Sequence, residues 1–155
     1  LTCHNPHSGE VALETCATCH AGIEDVDAIR MDATDWNGNG DVAEGVRSEY
    51  NAIRDAMYVQ IQAYAKDTIG TGIIYDRDAY PYWFADADNN GEIDVVDGKN
   101  VTYSTWSGRL LKAAYNYNFM RKTSAGWAHN AKYAMQIAID TIEDLGGDVT
   151  LYTRP

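Results

Sequence analysis

Five consecutive residues constrain this chain more than anything else in it: Cys16-Ala17-Thr18-Cys19-His20. In a C-x-x-C-H spacing two thiols can add across the two vinyl groups of a haem while the adjacent imidazole ligates its iron. A zinc site would need further N, S or O ligands, usually from a second cysteine pair, and a redox dithiol expects a βαβ context. The sequence offers neither. Residues 1 to 22 hold all three cysteines and three of the four histidines with little apolar periodicity. This stretch is expected to be a ligand-bearing segment ordered by what it binds rather than by packing.

Leu1-Thr2-Cys3-His4 reads as the end of a second C-x-x-C-H whose first cysteine precedes the given sequence. Cys3 is then a second attachment point and His4 a second proximal ligand. Two bis-imidazole haems need four axial ligands, and the histidines number four: His4, His7, His20 and His129. His4 and His7 are too close in sequence to reach opposite faces of one macrocycle. The simplest assignment therefore pairs His7 with the iron of His20, and His129 with the iron of His4. His129 is expected near the start of a helix, where the positive end of the macrodipole disfavours imidazolium and keeps the ring available as a ligand. Met31, Met57, Met120 and Met135 are rival sixth ligands, with Met57 and Met135 on apolar seams that point to core positions instead.

Two acidic loops carry a second chemistry. Asp86-Ala87-Asp88-Asn89-Asn90-Gly91-Glu92-Ile93-Asp94-Val95-Val96-Asp97 matches the calcium-loop pattern. Asp86, Asp88, Asn90, Asp94 and Asp97 supply side-chain oxygens, Gly91 permits the tight turn, and Glu92 offers its backbone carbonyl. Asp35, Asn37, Asn39 and Asp41 begin a similar loop, but Val46 stands where its last ligand should be. Glu44, or Glu49 one helical turn on, would have to close that shell. Asx-rich turns capping the next segment are the alternative for both. One or two bound calcium ions are expected, and two would reduce the formal charge from −11 to about −7.

With 23 acidic residues against 12 basic ones, the chain lacks the cationic surplus that phosphate backbones require, which excludes a nucleic-acid partner. No leader pattern and no apolar run near ~18 residues is present, so the sequence is expected to be a processed or truncated piece without a transmembrane segment. Apolar residues recurring at steps of three and four predict helices over about 44–66, 104–121 and 128–145. Gly and Pro break up the stretch from 67 to 103, which is expected to be mostly loop. The expected fold is mainly α, with three amphipathic helices, haem-binding and calcium-binding loops and little β. The whole of 1–155 is read as one module, with 1–22 the haem-attachment segment and 23–155 the helical part.

The Cys3-His4-Asn5-Pro6-His7 stretch, the Cys16 to His20 motif, the Asp35 to Gly45 loop with its helix, and Arg109 to Leu145 with Ala128-His129-Asn130 together resemble the carboxy-terminal part of exported bacterial multihaem c-type cytochromes. The resemblance implies that the histidine of a C-H-N-P-H context, His7 here, is a distal ligand. The expected function is electron transfer through haem c, without enzymatic activity. The partners would be other cytochrome modules, copies of the chain itself in a filament, or an external electron acceptor. Haem attachment outside the cytoplasm and modest-affinity calcium loops predict a periplasmic or extracellular location. Two alternatives remain at this point: a reductase module with an open iron position, and a calcium-dependent docking or scaffold module.

Overall fold

A computed structural model describes residues 3–30 and 32–155. The rival-ligand reading of Met31 and the Leu1-Thr2 part of the first motif lie outside the described residues.

The amino-terminal segment is built from turns. Ala12 N–H donates to the Cys3 carbonyl at 3.0 Å and Asn5 N–H to Glu10 at 2.8 Å, so the chain doubles back on itself before the four-residue helix α1 (Leu13–Cys16). Asn5 Oδ1 accepts from the amides of His7 and Ser8, a local Asx turn. Helix α1 buries nothing.

The body begins with α2 (Val46–Tyr64), whose Tyr50, Ile53, Met57 and Ile61 are buried on the predicted stripe. Fully burying such side chains stabilises by roughly 1.5–3 kcal/mol each, and this face packs against α5 (Ala131–Asp144) and α3 (Gly108–Lys122). A π-helical turn over Ala65–Ile69 ends at Gly70, where φ of 86° demands glycine. Helix α3 starts later than the apolar pattern suggests, because Ser107 caps it by accepting from Leu110 N–H at 3.1 Å.

The expectation of a mainly α fold with a loop in the middle is overturned. Strands β1 (Gly72–Tyr75) and β2 (Trp83–Asp86) form one antiparallel pair, with Ile73 opposite Ala85. A short hairpin joins β3 (Val95–Val96) to β4 (Lys99–Asn100). With five α-helices and two small sheets among the described residues, the fold is mixed. Gly-Ile-Ile-Tyr and Trp-Phe-Ala-Asp are β-branched and aromatic runs, which favour a pleated buried surface but are too short to show a period of two. All of β2 is buried, so no polar alternation marks it.

The predicted third helix is also two elements. Helix α4 (Gly126–His129) stops at Asn130, whose φ of −154° and ψ of 47° leave the helical region, and α5 begins directly after it. His129 is thus the last residue of a single helical turn and precedes α5.

Candidate haem and cation sites

In α1 and the turn after it, His20 N–H donates to the Cys16 carbonyl at 2.9 Å and Cys19 N–H to the same oxygen at 3.1 Å. Three and four residues apart on a helical turn, Cys19 and His20 face the same side as Cys16. All three cysteines are free thiols, with Cys3 and Cys19 exposed and Cys16 half-buried. One face carrying two accessible thiols and an exposed imidazole fits a covalently held haem.

His4 and His129 come together from opposite ends of the sequence, with ring centroids 6.1 Å apart. A metal–imidazole bond of about 2 Å on each side of one iron, with each nitrogen about 1.1 Å from its own ring centre, needs centroids roughly 6.2 Å apart. The observed spacing fits that requirement. His4 Nδ1 lies 2.9 Å from the Gly9 carbonyl oxygen. A carbonyl only accepts, so Nδ1 carries the proton and Nε2 keeps its lone pair. Gly9, with φ of 73°, makes the turn that presents this carbonyl, a contribution that no motif announces.

His7 and His20 are both exposed, and no ring contact joins them among the described residues. A cavity of about 310 Å³ adjoins His20, bounded by Ile23, Ala28 and Arg30. The rival sulfur ligands Met57, Met120 and Met135 are at most 2% exposed inside the core and could reach iron only by unpacking it.

The two acidic loops share their turn. Gly40 and Gly91 have φ of 87° and 86°, and the leading carboxylate of each loop accepts from the amide of its glycine, Asp35 at 2.7 Å and Asp86 at 3.1 Å. Beyond the glycine they diverge. In the second loop, ligand oxygens of Asp86, Asp88 and Asp94 lie within 4.8 Å of one another. Asp94 is held there because its backbone bonds to Ala85 O and Val101 N on either side. Asn90 Oδ1 accepts from Glu92 N–H at 2.7 Å. Asp97 stands apart from the three converging carboxylates, at the tip of the β3–β4 hairpin with φ of 51°, because a strand rather than a helix leaves the loop. In the first loop Glu44 Oε1 accepts from Asn37 Nδ2 at 2.7 Å and Asn39 Nδ2 at 2.8 Å, while Asp41 accepts from Ala43 N–H at 2.8 Å.

Glu49 is fully buried, and one carboxylate oxygen accepts from Trp36 N–H at 2.6 Å. The other is paired with Arg30 Nη1 at 2.7 Å, and the same nitrogen also donates to the Glu44 carbonyl. Burial pushes the Glu49 carboxyl above its usual range, against the opposing pull of the Trp36 amide and Arg30. Arg30 also bonds the carbonyls of Asp32 and Thr34, so this pair ties the first acidic loop to α2. No sequence signal marks the pair, since only the fold brings Arg30 beneath α2.

Among the described residues no helix is long and apolar enough to cross a membrane. No family model and no solved structure matches the chain. It is similar to the C-type polyheme cytochrome OmcC of Geobacter sulfurreducens, at 25% identity over 144 residues. It is also similar to the C-type polyheme cytochrome OmcB of the same species, at 27% identity over 142 residues. Each match covers 86% of this chain but 16% of the relative, so the chain spans about a sixth of the length of the curated relatives it matches.

Proposed function

We propose that residues 1–155 form a single electron-transfer module of a polyhaem c-type cytochrome that works in the periplasm or outside the cell. One haem c is held by Cys16, Cys19 and His20, and a second by Cys3 and His4. The observation that carries this reading is the 6.1 Å approach of the His4 and His129 rings, at the spacing that one shared iron requires. Similarity to two polyheme cytochromes supports it independently.

Haem, when bound, supplies reversible one-electron chemistry. The protein's part is to hold it. Gly9 fixes the His4 tautomer and orientation through the Nδ1 hydrogen bond, and His129, from the end of α4, would supply the second imidazole. With two imidazoles committed to one iron, no position is left there for a small molecule, which suits electron carriage rather than enzymatic activity. His7 takes the same part for the iron of His20. Exposed cysteines at the molecular surface suit transfer to a neighbouring cytochrome module, to a second copy in a filament or to an external acceptor.

The Asp86 loop binds calcium through Asp86, Asp88 and Asp94, which is supported by the convergence of their oxygens. The Asp35 loop is the weaker calcium site, closed by Glu44. A reductase reading attaches specifically to His20, since among the described residues no second histidine ring contacts it and a cavity adjoins it. A carbon monoxide difference spectrum of the reduced protein decides between them. No spectral change is expected from bis-histidine iron. A carbon monoxide adduct amounting to one haem would move the reading to an open site at His20.

A further inference from the structure

The chain carries 12 basic residues and a net charge of −11, yet five of the twelve gather at one place. Arg47, Arg54, Arg77 and Arg121 line a cavity of about 260 Å³ between α2 and the α3–α4 corner. An adjoining cavity shares Arg77 and Arg121 and adds Lys122. Among the described residues neither cavity is lined by a single Asp or Glu, in a protein where acids outnumber bases 23 to 12.

The five cations are unequally satisfied. Arg47 is paired with Asp27 at 2.6 Å and lies over the Trp127 ring, and Arg54 is paired with Asp55 at 2.8 Å. Among the described residues Arg77 has only a distant carboxylate, Asp78 at 3.8 Å, out in solvent. Arg121 makes no ion pair among the described residues, and its Nε is buried without any acceptor. A buried donor left unmade costs free energy, more so on a charged group. Thr123 and Ser124, at the corner between the helices, add neutral hydroxyl donors to the same wall. Planar guanidinium forks beside hydroxyls match the geometry of an oxyanion.

We propose that this pocket binds a small oxyanion of the phosphate class, with Arg121 and Arg77 as its principal ligands. At about 260 Å³ the cavity is amply large for phosphate. The lining lies on α2, on the β1–β2 connection that carries Arg77, on α3 and on the corner leading into α4, so the site shares no residue with the haem and calcium sites and stands whether or not those readings hold. Carboxylates have the same oxyanion chemistry, and a haem propionate is one source of them.

The test is calorimetric titration of the native, haem-loaded protein with inorganic phosphate, at fixed ionic strength held by chloride. Saturable binding of one phosphate per chain is expected. Arg121→Gln and Arg77→Gln should each weaken it by about tenfold or more, while Lys112→Gln, on the exposed far side of α3, should leave it unchanged. Arg77 is exposed, so its variant tests the site even if Arg121→Gln fails to fold. Absence of saturable binding, or equal weakening by Lys112→Gln, overturns the proposal. So does a shifted haem potential in Arg121→Gln with no phosphate binding to the native protein, which would give the pocket to a propionate.

Discussion

Between Cys3 and Arg30 no side chain is buried, whereas α2 alone buries six. The two regions are therefore ordered by different forces. Water exclusion around Ile53, Met57, Leu110, Met135 and Ile139, none of them exposed, is enough to fold the body. The amino-terminal segment has turns, an Asx cap and a one-turn helix, none of which offsets the backbone entropy of so many ordered residues. Its far end is tied to α2 by the Arg30–Glu49 and Arg47–Asp27 pairs and by the Val46 amide on the Ile29 carbonyl, but for residues 3 to 24 the cysteines and histidines are what remain. On the proposed reading haem orders the amino-terminal segment, and His129 joins that segment to the body through the iron it would share with His4.

The largest expected effect separates the two regions outright. Replacing Cys16→Ala together with Cys19→Ala should remove the Soret absorption of that haem and expose residues 13 to 24 to rapid amide exchange. The far-UV melting transition of the body should hardly move. Loss of the body along with the segment would show that the regions are not independent. The converse change is Met57→Ala, which should cost about 2–5 kcal/mol in urea unfolding while the native haem spectrum stays intact.

A pH experiment sharpens the same contrast. Burial among aromatic rings pushes the Tyr117 hydroxyl up to about 12 from an ordinary 10. The folded state then keeps its proton where the unfolded chain loses it, so the stability this group contributes is complete below pH 10 and is lost as pH rises through 12. The loss should reach roughly 2–3 kcal/mol, and Tyr117→Phe should flatten the fall. An equally steep alkaline decline in the phenylalanine variant would place its origin elsewhere.

The smallest effect compares the two acidic loops. Removing calcium should lower stability by about 1–2 kcal/mol, with Asp86→Ala abolishing most of the response. Asp41→Ala should abolish less, and Asp97→Ala, out on the hairpin tip, almost none. A large loss from Asp97→Ala would mean that the hairpin folds back on the ion.

The long elements were legible because periodicity accumulates over several turns, as along Tyr50, Ile53, Met57 and Ile61. Four-residue strands give no such accumulation, and Trp83 to Asp86, buried throughout, reads as an apolar run without direction. The break at Asn130 was hidden for another reason. Asparagine is a common helix cap, but Asn130 stands inside an apolar pattern that runs on past it, so its signal was outweighed by the periodicity. At the sites, motif residues could be read because ligand chemistry restricts residue type. The Gly9 carbonyl and the gathering of five cations could not, since one is backbone and the other is produced by folding alone.

The central claim is that His4 and His129 share one iron. Low-temperature electron paramagnetic resonance of the oxidised protein, wild type beside His129→Ala, tests it most directly. The wild type should contain only low-spin iron, and the variant should convert the iron of one haem to high spin. A His129→Ala spectrum that keeps every haem low-spin and unshifted would contradict the account.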